Sequence, residues 1–201
     1  MKALIRIPLL ILSVWLLQAC QQTPVKTVKP KDIQLLWQLD TMKSQINYLS
    51  TKNGDIREHN TLRFISGHID TDKNVQLIID LNSIDTHIDI RNQRMREIFF
   101  ETNQHPTAKV TAQIEDNLPL MSAYPINFTL NLKAHSREFQ SSVIIHSGGG
   151  EMMVTSAEPV SVSAATFGLQ KPLEKLREIA GLNSISPTVE VDFKLHFKQV
   201  K

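Results

Sequence analysis

Near its C-terminus the chain alternates so strictly that a half-buried β-strand is the conformation it most readily fits. From Thr188 to Phe197, the residues Val189, Val191, Phe193, Leu195 and Phe197 fall on one side, and Glu190, Asp192, Lys194 and His196 fall on the other. This is the period of two of a strand with one buried and one wet face. Tyr124, Ile126, Phe128, Leu130 and Leu132 repeat it, as do Val75, Leu77, Ile79 and Leu81. Shorter matches fall at Ile46 and Tyr48, Leu62 and Phe64, Val110 to Ile114, Phe139 to Ile145, Met152 to Val154, and Val160 to Ala164. The spacing predicts about eight or nine strands, the pattern of an all-β sandwich or barrel.

Two stretches leave this period. Asp89 to Phe100 fits a helix, with Ile90, Arg94 and Ile98 along one side. Pro172 to Ala180 fits a shorter helix, with Leu173, Leu176 and Ile179 on one face and Gly181 as its stop. Turn residues cluster at Asn53-Gly54, Asp72 to Asn74, Asp116 to Pro119 and Gly148 to Gly150. Amphipathic antiparallel strands leave edges that invite aggregation, and closing the sheet into a barrel removes them. The expected fold is therefore an all-β antiparallel barrel of about eight strands, with one helix inserted mid-chain and a short one near the C-terminus. Its apolar faces would either fill the interior or enclose an apolar ligand. Alternation does not choose between these.

The N-terminus reads differently. Lys2 and Arg6 precede an apolar run, Ile7 to Leu17, that is about half the length a membrane span needs. Leu17, Gln18, Ala19 and Cys20 then resemble the lipobox of bacterial lipoproteins, so residues 1–19 are expected to be a signal peptide and Cys20 the lipidated first residue of the mature chain. Cys20 is the only cysteine, which leaves no intramolecular disulfide. Residues 20–35, with Pro24, Pro30 and three lysines, read as a lipidated tether, and residues 36–201 as the barrel domain. Gln21, where an aspartate is the usual inner-membrane signal in enteric bacteria, points to the periplasmic face of the outer membrane. Without the signal segment the 22 basic residues fall to match the 20 acidic ones, a balance that argues against a nucleic-acid partner.

The local patterns of common metal, thiol, acyl-transfer and nucleotide chemistry (HExxH, CxxC, GxSxG, the P-loop and GxGxxG) are absent. The seven histidines are scattered. Ser83, Asp85 and His87 alternate along one run and share a face, but sequence proximity alone does not build a triad. The expectation is a protein without catalytic residues, cofactor or metal.

The order of residues from Trp37 to about Phe197 resembles the YceI-like family of lipid-binding proteins. The likeness begins with Trp37-Gln38-Leu39-Asp40, Ser44, Lys52, Glu58-His59, Phe64 and Gly67. It continues through the block Leu81 to Met95, Phe99-Phe100 and His105-Pro106-Thr107, and ends at Thr166-Phe167-Gly168. The resemblance implies an extended lipocalin-like barrel around a long apolar cavity that accepts polyisoprenoids or other long-chain amphiphiles, in an exported binding module. The chain departs from the family's pattern at Asn92 and Thr166, where aspartates are usual, and at Asn131 to His135.

On the alternation rule, Phe64, Ile79, Phe128, Val143 and Phe193 are the candidates for lining such a cavity. Lys52, Arg91 and Arg94 have two readings. As guanidinium and ammonium donors at the barrel mouth they would hold an anionic headgroup. Alternatively they are spent on ion pairs, with Asp85, Asp89 or Glu97 as partners of the arginines, and fasten the helix to the barrel. Phe99 and Phe100 are expected to plug the barrel end. The expected function is sequestration or transport of a long-chain apolar ligand by an envelope lipoprotein. The alternative is a structural or partner-binding lipoprotein with a filled barrel.

Overall fold

A computed structural model describes residues 35–200. The expected signal peptide, the lipidation site Cys20 and the tether up to residue 34 lie outside the described residues. The rest is the antiparallel barrel that the alternation predicts.

Ten strands form one sheet: β1 (Leu35–Leu39), β2 (Gln45–Lys52), β3 (Ile56–Asp70), β4 (Asn74–Asp85), β5 (Thr107–Gln113), β6 (Ala123–Leu132), β7 (His135–Gly148), β8 (Glu151–Ser156), β9 (Val160–Ser163) and β10 (Thr188–Gln199). Consecutive strands from β2 to β8 pair as neighbours, and β10 closes the ring by pairing with both β2 and β8. Eight strands thus make the wall. β8 and β9 lie end to end along one edge of β10, opposite Lys194–Lys198 and Thr188–Val191 respectively. The short β1 lies across the seam between β10 and β3. The sequence element with the clearest alternation is therefore the one that joins both ends of the sheet.

The mid-chain helix begins as α1 (Asp89–Arg94) and continues as a π-helical turn over Met95–Phe100. The wider turn bonds residue i to i+5, which brings Met95 and Phe100 to the same side as Phe99. The second helix, α2 (Gln170–Ile179), begins two residues before the expected Pro172. Pro172 is tolerated there because N–H groups of a first turn have no intrahelical acceptor. Gly181, at φ 62°, ends it as expected, donating to Glu178 O, while Leu182 N donates to Arg177 O.

One end of the barrel is solidly packed by Leu39, Ile69, Val143, Ile145, Met152 and Phe197, all buried. At that end Ser44 Oγ donates to Asp40 O at 2.7 Å and accepts from His196 N at 2.9 Å, while Lys198 pairs with Asp40 at 2.8 Å. These residues of the opening motif tie the β1–β2 turn to β10. At the other end α1, α2 and the segment after α2 cover the barrel. That segment is latched to the β2–β3 hairpin by Asn53 Oδ1, which accepts from Asn183 N at 2.8 Å, and by Asn53 N, which donates to Ser184 O at 2.9 Å.

Candidate functional site

Between the packed end and the helices lies a cavity of about 600 Å³, within the usual range for a small-ligand pocket. Its deeper wall is aliphatic and aromatic, including Phe64, Leu77, Ile79, Phe128, Leu130 and Phe193 from the strands, and Met95, Phe99 and Phe100 from the π-helical turn. Leu169, Leu173 and Leu176 close it from the α2 side. Ile88, Ile90 and Ile179 also line it, yet each is about half exposed, so the cavity reaches the surface between α1 and the end of α2.

The wall changes character toward that mouth. On β2 the inward residues run Ile46, Tyr48, Ser50, Lys52, and on β3, paired antiparallel to it, they run Phe64, Leu62, Asn60, Glu58. Two strands thus pass in step from apolar through hydroxyl and amide to charge. Asn60, almost wholly buried, donates through Nδ2 to Ser50 Oγ at 3.0 Å and Glu58 O at 2.9 Å, so its amide costs little to bury. The Tyr48 hydroxyl makes no hydrogen bond among the described residues. Burial pushes its phenol above the ordinary value of 10.0, which keeps the proton on the oxygen.

Glu58 is the hub of the charged end. Its Oε1 accepts from Lys52 Nζ at 2.8 Å and its Oε2 from Arg91 Nη1 at 2.6 Å, while Arg91 Nη2 donates to Thr86 O. Burial alone would raise the Glu58 carboxyl, but the hydrogen bonds and charges of Lys52 and Arg91 together outweigh it and hold the group below its ordinary value. Asp85, Asp89 and Glu97 are not the partners of Arg91. The acceptor is Glu58, distant in sequence and brought beside α1 by the β2–β3 hairpin. Arg94, one turn further along the same helix, lines the cavity and makes no ion pair or side-chain hydrogen bond among the described residues. Glu58, Thr86, Ile88 and Arg91 also border a smaller outer pocket of about 300 Å³ with His59 and His87.

Of the five residues expected to line a cavity, Phe64, Ile79, Phe128 and Phe193 lie on its wall. Val143 does not. It faces inward but sits in the packed end, opposite Tyr124 in the register of β6 and β7. Farther along, no β7 side chain lines the cavity, and β9 pairs with β10 rather than with β7. Phe167, at 1% exposure, stacks on Phe139, which stacks on Phe128, and fills that break in the wall.

Phe99 and Phe100 meet edge to face at 5.0 Å on the cavity wall, beneath the helical cover. Ser83 does not serve His87: its hydroxyl donates to Asp80 O at 2.6 Å and accepts from Arg63 N at 2.8 Å. Among the described residues no three His, Cys, Asp or Glu side chains converge as a metal site would require. Sequence reasoning missed Tyr48 and Asn60 as cavity residues. The signal that locates them is the same alternation, followed past the point where its inward positions stop being apolar.

A family model described as a YceI-like domain matches residues 37–197. Among solved structures, the chain is similar to a polyisoprenoid binding domain from Saccharophagus degradans implicated in plant cell wall breakdown. The two are 33% identical over 83% of this chain and 100% of that one, with a TM-score of 0.77. BcnA of Burkholderia cenocepacia shares the fold at 14% identity, covering 79% of this chain and 98% of that one, with a TM-score of 0.60. The Campylobacter jejuni YCEI protein does so at 10% identity, covering 94% and 99%, with a TM-score of 0.50. No curated protein matches the sequence.

Proposed function

Because the chain belongs to the YceI-like family, we propose that it binds a long-chain apolar ligand, a polyisoprenoid or similar amphiphile, within its barrel. The observation that carries this reading is the cavity of about 600 Å³, apolar in depth and reached from the surface beside α1. Each Å² of tail surface taken from water contributes about 25 cal/mol, so a long chain gains affinity without many polar contacts. The ligand class of the Saccharophagus degradans relative, at 33% identity, supports the same reading. The cavity also disfavours the alternative of a structural protein with a filled barrel.

The protein's role is that of a carrier rather than a catalyst. Its lipobox-like segment supports export, acylation at Cys20 and attachment to the periplasmic face of the outer membrane, where a tethered barrel would sequester or pass on lipid. Native mass spectrometry of protein taken from its own envelope with lipids retained tests the binding. Adducts of isoprenoid or acyl mass are expected. Protein that is consistently lipid-free, and that takes up no added prenol, would sink the reading.

A further inference from the structure

Ile88 and Ile90, at the start of α1, and Ile179, the last residue of α2, line the cavity opening and are 45%, 52% and 42% exposed. Ile56, opposite Lys52 in the register of β2 and β3, lies at the same end of the barrel and is 46% exposed. The other exposed large apolar side chains, such as Met42 in the β1–β2 turn at the packed end, line no cavity. A single exposed isoleucine is ordinary, but here three form the two lips of an opening into an apolar interior. The exposed charges beside them have both signs, Arg57, Asp89, Lys175 and Glu178, so the rim offers apolar contact rather than net charge. Because the lips stand on either side of the opening, a protein or a second copy seated on them would stopper the cavity. A bilayer would not. Its acyl region would run on into the apolar wall, and a tail passing between them would stay out of water. The mouth is also free of the chain's entry, since β1 begins at the other end of the barrel with Leu35 opposite Asp70.

We propose that this rim is a membrane-docking surface: Ile88, Ile90 and Ile179 enter the boundary between headgroups and acyl chains of a lipid bilayer and set the cavity mouth against it. This rests on the reading of the barrel as a lipid carrier and adds the route by which lipid enters and leaves. Docking of this kind reaches about 5–10 Å, to the top of the acyl region. The flanking charges remain among the headgroups.

The test reads each end of the barrel separately. Ile90→Trp, Ile179→Trp and Met42→Trp are made singly in the full-length protein, and their emission above that of the parent is followed with phosphatidylcholine vesicles carrying brominated acyl chains. Ile90→Trp and Ile179→Trp should each lose about half or more of the added emission and Met42→Trp almost none, because bromine quenches only an indole that reaches the acyl region. Probes on both lips keep the test standing if one variant folds poorly. An anchor ahead of β1 would hold the protein on the vesicle without quenching any of the three. Equal quenching at all three positions, or none at either lip, overturns the inference. So does lip emission that changes with protein concentration in the absence of vesicles, which would assign the rim to a second copy. Ile90→Glu combined with Ile179→Glu should slow delivery of a bound fluorescent fatty acid to vesicles about tenfold, whereas loosened binding alone would speed it. Unchanged or faster delivery counts against docking. Uptake of the same fatty acid separates the two readings. Uptake without quenching at the lips leaves the carrier standing and removes the docking surface, and quenching without uptake does the reverse.

Discussion

Arg91 Nη1 donates to Glu58 Oε2 at 2.6 Å across 33 positions of sequence, and this ion pair fastens α1 to the β2–β3 hairpin beside the cavity mouth. Lys52 occupies the other oxygen of the same carboxylate. Both cations and the carboxylate are about three-quarters buried, whereas every other ion pair among the described residues has at least one partner 45% or more exposed.

Glu58→Gln should destabilise the fold by about 1–3 kcal/mol at pH 7, because it leaves two partly buried cations without their counter-charge. The carboxyl is held below its ordinary value of 4.5. Its contribution is therefore complete above that value and is lost as the pH falls through the folded-state value. Urea unfolding of parent and variant should differ at pH 7 and converge in acid. A difference that persists unchanged below that window would mean that Glu58 does not act through its charge.

Asn92 is buried, with Oδ1 accepting from Thr86 N at 2.7 Å and Thr86 Oγ1 at 2.6 Å, while Nδ2 donates to Asp85 Oδ1 at 3.3 Å. Asn92→Asp, the residue more usual in the family, would keep both acceptor bonds but set a carboxylate against Asp85. A loss of about 1–2 kcal/mol at pH 7 is expected, relieved as the pH falls and one carboxyl protonates. Adding Asp85→Asn should restore the donor and most of the stability. No rescue in the double variant, measured by thermal unfolding, would count against this account.

Phe128→Trp and Val143→Phe make opposite predictions although both residues face inward. Phe128 borders free volume and should accept indole with less than about 1 kcal/mol lost, while captured lipid falls. Val143 lies in the packed end, where added carbons should cost about 1–3 kcal/mol. Equal costs, read from denaturant midpoints, would mean that the two ends are packed alike.

Gly67→Ala would place its Cβ 2.7 Å from Leu77 Cδ2 and 2.9 Å from Leu39 Cβ, where β1 lies against β3. Leu39 Cβ cannot swing away without moving β1. A loss of about 1–3 kcal/mol is expected, and Leu77→Ala should not recover it, since the β1 contact remains.

Cys20→Ala should move the protein from the membrane fraction to the soluble periplasm if the thiol is acylated. A parent protein that already fractionates as soluble would remove the lipoprotein proposal and leave the barrel's ligand binding untouched.

The sequence by itself determined which residues turn inward and that the strands are antiparallel partners around an apolar interior, because side-chain direction along a strand depends only on the period of two. Phe64, Ile79, Phe128, Val143 and Phe193 are all inward for that reason. Period carries no information about height along the barrel axis, so only the assembled register separates Val143, in the packed end, from the four that border the cavity. Ion-pair partners follow the same division. Helical spacing offers Arg91 the nearby acids Asp85, Asp89 and Glu97, but closure of the barrel brings in Glu58, whose carboxylate is already positioned by its strand. That choice depends on which distant charge reaches the guanidinium at hydrogen-bonding distance, and the tertiary structure alone decides it.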